Sequence, residues 1–220
     1  MSFARNYHDW VLAELAPYLG RSVAEVGAGV GNFSALLLGQ AIERLVAYEP
    51  SENMYPVLAH ALAGEPRATA VNGFFGPEAA GRGFDSVLYI NVLEHIEDDA
   101  AELERARAAL ADSGHLLIFV PALPWLYSDL DRQVGHFRRY VKRQLLELVA
   151  NAGFTIVRAR YFDLAGVLPW YVNFVLLRNS IGGGSVSLYD RLVVPIMRRV
   201  EAVIPPPLGK NLLLVARRAP

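Results

Sequence analysis

Cysteine is absent from the chain, which removes disulfide frameworks, thiolate metal sites and cysteine nucleophiles together; no metal site is expected. Neither sign of charge is in excess: 21 basic residues stand against 22 acidic ones, for a net charge of -1. Nothing in that balance marks a nucleic-acid binder, and no nucleic-acid partner is expected. The opening residues, 1–20, lack the unbroken apolar stretch and small-residue cleavage site of a secretion signal and mix charges into an amphipathic helical pattern, so a cytoplasmic protein is expected. Long hydrophobic runs are lacking too. The richest, Leu164–Leu177, is interrupted by Gly166, Pro169 and Asn173 and lies near the lower limit for crossing a bilayer.

What is present, from Ser22 onward, is an alternation of short apolar runs with segments of helical spacing, the pattern of βαβ units and a parallel sheet. The strand candidates are Ser22–Val26, Arg44–Tyr48, Ala68–Val71, Phe84–Ile90, His115–Val120, Thr155–Tyr161 and Asn211–Ala216. Helical spacing occupies Asn32–Leu38, Glu52–Ala63, Asp99–Leu110 and Lys142–Ala152, the last stopped by Gly153. The expected fold is α/β: one domain over 1–220, with a Rossmann-like, mostly parallel seven-stranded sheet flanked by helices. Two stretches, 121–140 and 163–209, stand outside the rhythm. Ligands of open α/β sheets bind beyond the carboxyl ends of the strands, so the first reads as a substrate loop and the second as a helical lid or cap.

The densest motif runs Glu25-Val26-Gly27-Ala28-Gly29-Val30-Gly31-Asn32, a strand passing through a glycine turn into a helix. Glycine lets backbone approach a ligand closely, and the helix start offers free N–H groups. A dinucleotide fingerprint would place its third glycine at position 32, where Asn32 stands. The spacing found, acidic-x-Gly-x-Gly-x-Gly, resembles motif I of class I S-adenosylmethionine-dependent methyltransferases. Glu49, at the end of the second strand in Tyr48-Glu49-Pro50, matches the family's ribose-binding acidic residue. Asn91-Val92-Leu93-Glu94-His95-Ile96-Glu97-Asp98-Asp99 resembles its segment after the fourth strand.

The resemblance implies S-adenosylmethionine as cofactor, with Glu25, Gly27, Ala28, Gly29, Gly31, Glu49, Pro50, Met54, Asn72, Gly73, Phe74, Asn91 and Val92 around it. Glu25 either touches ligand or orders the loop. Asp98 and Asp99 read as helix caps, and His95 as either a base or a turn-packing residue.

On the acceptor side, the substrate loop offers Trp125, Tyr127, His136, Arg138, Arg139 and Tyr140 as contacts. If the acceptor must lose a proton, His136 is the first candidate base, with Asp131, His95 and Tyr127 behind it. Arg138 and Arg139 could clamp an anionic group, or one could pair with Asp129 or Asp131 while the other faces water. For 163–209 three readings stand open: a lid, a homodimer interface, or a patch resting peripherally on the inner face of a membrane to reach a lipid-linked acceptor.

The expected activity is methyl transfer to a small-molecule or lipid-linked acceptor. Its rivals are a catalytically inactive cofactor-binding module and, against the glycine spacing, an NAD-dependent oxidoreductase. A methyltransferase of nucleic-acid bases would carry an Asn/Asp-Pro-Pro-Tyr/Phe signature where Asn91-Val92-Leu93-Glu94 stands.

Overall fold

Residues 4–178 and 183–219 are described by the computed structural model. Residues 1–3 of the expected first helix, the 179–182 segment with Gly182, and Pro220 lie outside them. In chain order the elements are α1 (Arg5–Leu15), β1 (Ser22–Val26), α2 (Asn32–Leu38), β2 (Arg44–Glu49), α3 (Tyr55–Leu62), β3 (Ala68–Asn72), β4 (Phe84–Ile90) and α4 (Asp99–Ala109). Then follow β5 (Leu110–Pro121), α5 (Asp129–Gln133), α6 (Lys142–Asn151), β6 (Phe154–Phe162), α7 (Val167–Trp170), α8 (Gly183–Leu192), α9 (Val194–Val203) and β7 (Asn211–Arg218).

The seven expected strands all form. β5 begins earlier than the expected His115, because Leu110 already pairs with Phe84 ahead of an irregularity in the β4 ladder. α3 starts at Tyr55 rather than Glu52; Pro56 sits in its first turn, where the missing N–H costs nothing.

The strands form one sheet in the order β3-β2-β1-β4-β5-β7-β6. β7 runs antiparallel to both β5 and β6, and the other pairings are parallel. Side chains alternate across a strand, and the two faces separate cleanly. Ala24, Val46, Val87, Leu116 and Leu214 point toward one buried cluster with α4 and α6; Val23, Leu45, Leu88, Leu117 and Leu213 point toward the other, closed by Trp10 and Leu15 of α1. Chain order reverses between β1 and β4, which opens a crevice beyond their carboxyl ends.

The 163–209 segment is fastened to this body by buried acidic groups. Asp190 accepts hydrogen bonds from the backbone N–H groups of Asn6 and Tyr7, serving the free donors at the start of α1. Glu201, 1% exposed, takes the Arg160 guanidinium and the N–H groups of Asp163 and Leu164. The outer side of the segment leaves Leu168, Leu176, Leu188, Leu192, Ile196 and Val203 exposed. Among the described residues no helix is long and apolar enough to cross a membrane.

Candidate active site

The turn after β1 is built on glycines with left-handed backbone: Gly27 at φ +67°, Gly29 at +59° and Gly31 at +88°, a region costly for other L-residues. At Gly27 a Cβ would stand 2.6 Å from Val92, so the turn closes against the segment after β4 only without a side chain. At Gly29 the nearest atom to such a Cβ is the Met54 sulfur at 4.0 Å, so bare backbone faces open space. Glu49 ties this turn to the end of β2. One carboxylate oxygen accepts the Gly29 N–H at 2.7 Å and the other the Ser51 N–H at 2.8 Å. The Gly73 N–H reaches the Glu49 carbonyl.

Beside them lies a cavity of about 600 Å³ whose wall includes Gly27, Pro50, Gly73, Phe74, Val92 and His95. Phe74 is 80% exposed, an apolar face open to a ligand. The same wall holds Tyr48, Phe75 and Phe137, which sequence reading missed. Phe75, which meets Tyr48 edge to face, is signalled only by following Phe74. Asn72 and Met54 are exposed and stand outside that wall, as do Ala28, Gly29, Gly31, Asn91 and the 5%-exposed Glu49.

Glu25 lies beneath α2 and accepts the Ser34 hydroxyl. Burial pushes its carboxyl up to about 8, with the Ser34 hydrogen bond pulling the other way and the Glu49 charge adding to the rise. Between pH 4.5 and 8 the folded chain therefore holds a proton that the unfolded chain has shed. The contribution is fully present below 4.5 and lost as pH rises through about 8. Urea unfolding at pH 6 and pH 9 is expected to show wild type losing a few kcal/mol across that interval, while Glu25→Gln, which keeps an acceptor for Ser34, loses markedly less. Equal losses would show that Glu25 does not titrate there.

The 121–140 loop is anchored by Asp131. Its Oδ1 lies 2.9 Å from His136 Nδ1 and takes Arg139 Nε at 2.9 Å, while Oδ2 closes a capping box with Ser128 at the start of α5. Burial would raise the Asp131 carboxyl, but the hydrogen bond from His136, the Arg139 charge and the Ser128 contact outweigh it and hold it at about 2. Burial lowers His95, as does the neighbouring His136, against a backbone hydrogen bond at Gly135. Burial likewise drives Glu94 up to about 8, beyond what its own backbone and Arg139 counteract.

A second cavity, about 250 Å³, is lined by Asn91, Glu94, His136, Trp170, Lys210 and Asn211, together with Tyr7, Pro121 and Arg139. Asn91 stands at φ +54°, which its short amide side chain tolerates. Trp170 donates to the Leu126 carbonyl and lies under the Arg139 guanidinium. Lys210 sits over the Tyr7 and Trp170 rings and pairs with Asp163. Glu94, Trp170, Lys210, Asn211 and Tyr7 were not singled out by the sequence as site residues, because four separate elements supply them.

Other expected contacts are committed elsewhere. Arg138, read as an anion clamp or as facing water, bonds Asp99 at 2.7 Å and the Glu97 carbonyl. Arg139 is 5% exposed and takes the Asp131 pairing that was one of its two readings. The Tyr140 hydroxyl, buried, meets Asp99 at 2.8 Å. Asp98 caps α4 as expected, by accepting the Ala101 N–H, while Asp99 serves Arg138 and Tyr140 instead. Tyr127 donates to the His136 carbonyl and thereby holds the loop, and Trp125 is 53% exposed, edge-on to Tyr171.

Comparison with known proteins shows the family and the fold. The family described as methyltransferase domain matches residues 3–159. A tRNA U34 carboxymethyltransferase of Aeromonas salmonicida is 28% identical over 113 residues, which are 50% of this chain and 35% of that protein, so the chain spans about a third of the relative's length. Among solved structures, a chain from the complex of the Haloferax volcanii Trm112 methyltransferase activator with a methyltransferase superposes with TM-score 0.70 at 15% identity, covering 100% of this chain and 92% of that one. An S-adenosylmethionine-dependent methyltransferase from Mesorhizobium loti gives TM-score 0.66 at 15% identity, covering 94% and 95%. At these identities the structural likeness speaks for the fold.

Proposed function

The chain belongs to the methyltransferase domain family, and from that premise we propose that it transfers a methyl group from S-adenosylmethionine to a small-molecule or lipid-linked acceptor held in the cavity beside His136 and Trp170. The observation that carries this reading is the junction of Gly29 and Glu49 at the crevice. Each Glu49 oxygen accepts one backbone N–H, and a carboxylate oxygen has further lone pairs, suited to the two hydroxyls of a ribose. The open space before Gly29 and the apolar wall at Phe74 suit the remainder of a nucleoside. The residues present therefore fit the cofactor.

Held at Gly29, Glu49 and the Phe74 wall, the cofactor would supply an electrophilic sulfonium methyl for an acceptor lone pair, with the carbon–sulfur bonding pair left on sulfur. The protein's part is alignment and exclusion of water. His136, fixed by Asp131, faces the acceptor cavity, and Trp170 with the Lys210 stem walls it. On this reading 1–220 is one domain, with 121–140 and 163–209 covering the acceptor.

Exposed leucines on 163–209, interleaved with Arg191, Arg198 and Arg199, support an acceptor presented at an anionic lipid surface. The name of the Aeromonas relative supports a second reading, in which the acceptor is tRNA. Incubating the protein with methyl-labelled S-adenosylmethionine and, separately, total lipid extract, a pool of small metabolites and total tRNA separates them. Label is expected in the lipid or small-metabolite fraction. Label confined to tRNA would replace the acceptor proposed here.

A further inference from the structure

Glu94, His95 and His136 each bring one ligand atom to within 4.8 Å of the others. Glu94 has 0% exposure, and among the described residues neither of its carboxylate oxygens has a hydrogen-bond partner. Burial favours its neutral acid, and the ionised carboxylate is costly there unless a cation or donors answer it. It nevertheless borders the second cavity, as His136 does, while His95 borders the first. The three side chains thus stand between the cofactor side and the acceptor side.

The surrounding residues orient the ring that matters most. Asp131 Oδ1 lies 2.9 Å from His136 Nδ1 and is itself held by Arg139 and Ser128. With Nδ1–H donating to that carboxylate, the lone pair on Nε2 is directed into the cluster, 3.9 Å from Glu94 Oε1. A carboxylate behind a histidine is the usual outer support of a metal-binding imidazole. The His95 ring stands edge-on to His136, with centroids 4.6 Å apart and planes at 81°, so the two imidazoles do not block one another by stacking. Bonds of about 2.1 Å to a first-row ion place neighbouring ligand atoms roughly 3–3.5 Å apart. Contraction by about an ångström closes the set.

We propose that Glu94, His95 and His136 form a two-histidine, one-carboxylate site for a single divalent transition-metal ion, whose open positions face the acceptor cavity and take a hydroxyl oxygen of the acceptor. Two imidazoles and one carboxylate suit Zn²⁺, Fe²⁺ or Co²⁺ better than Mg²⁺, Ca²⁺ or Mn²⁺, which prefer oxygen surroundings. An ion there would acidify the bound hydroxyl, whose proton passes to water, so that oxygen is the attacking atom. The choice of acceptor oxygen rests on the methyltransferase reading; the metal site does not.

The test uses the full chain without an affinity tag, stripped with a chelator and titrated calorimetrically with Zn²⁺ and with Co²⁺. One equivalent is expected to bind. Glu94→Gln and His95→Ala should each weaken binding at least about tenfold, whereas His60→Ala, at an exposed histidine, should leave it unchanged. Thermal unfolding checks that the variants fold, and Zn²⁺ should raise the wild-type melting temperature by mass action while leaving that of Glu94→Gln nearly fixed. No binding at millimolar metal, or binding unaffected by Glu94→Gln, overturns the site. S-adenosylhomocysteine is titrated into the same samples. Its binding without metal binding leaves the methyltransferase reading intact and removes the metal; metal binding without nucleoside binding does the reverse.

Discussion

Glu49→Ala is expected to weaken S-adenosylmethionine binding by about 3 kcal/mol, roughly a hundredfold in Kd, with the fold retained. The loss has two sources. The carboxylate would no longer receive the ribose hydroxyls, and the Gly29 N–H, now held at 2.7 Å, would lose the acceptor that fixes the turn. Gly29→Val should abolish binding by another route: a β-branched residue at φ +59° is strained, and its side chain would project into the open space before the turn. Titration calorimetry with S-adenosylmethionine and S-adenosylhomocysteine checks both, against a wild-type Kd expected near micromolar, about -8 kcal/mol. Binding by both variants within threefold of wild type, in protein shown to be folded, would mean that the cofactor lies elsewhere.

Asp131→Ala is expected to produce the largest loss of stability, about 3–5 kcal/mol, the cost of removing one partner from a buried ion pair. The Arg139 side chain is 1% exposed, and among the described residues its guanidinium would keep the Ala122 carbonyl and the Trp170 ring. The same substitution dissolves the capping box at Ser128 and frees His136. Urea unfolding of the variant should show a lowered midpoint with an unchanged slope. Adding Arg139→Met should recover part of the loss, since no buried cation would then remain unanswered. A single variant within 1 kcal/mol of wild type would mean that the pair contributes little to the fold.

Both experiments probe residues that sequence brought to notice, but they were not equally legible. Glu25 to Gly31, Glu49 and the segment around Asn91 lie at the carboxyl ends of neighbouring parallel strands, and each makes its contacts from a short run placed by its own strand. Such contacts leave a local pattern. Arg138 and Arg139 stood open between an anion clamp and a pairing of one with Asp129 or Asp131 while the other faced water, because two guanidiniums in a loop carry no record of their partners. Asp99 and Asp131 answer them across contacts that only packing creates. Glu94 lay inside a recognised motif without a role, since its lack of a hydrogen-bond partner exists only once Phe137 and its neighbours fold over it; the Phe137 N–H bonds the Glu94 carbonyl.

By itself the sequence determined the α/β class, the positions of the strands and the glycine turn. Each depends on hydrophobic period or backbone conformation, properties that neighbouring residues impose on one another. Tertiary structure alone decided that β7 enters antiparallel between β5 and β6, and that α1 is capped by Asp190 from the far end of the chain. It also decided that Glu94, His95 and His136 converge, with Glu94 and His136 beside Trp170 and Lys210. Those pairings join residues distant in sequence, and burial selects them by matching charge, hydrogen bonding and shape across elements, terms that no local pattern encodes.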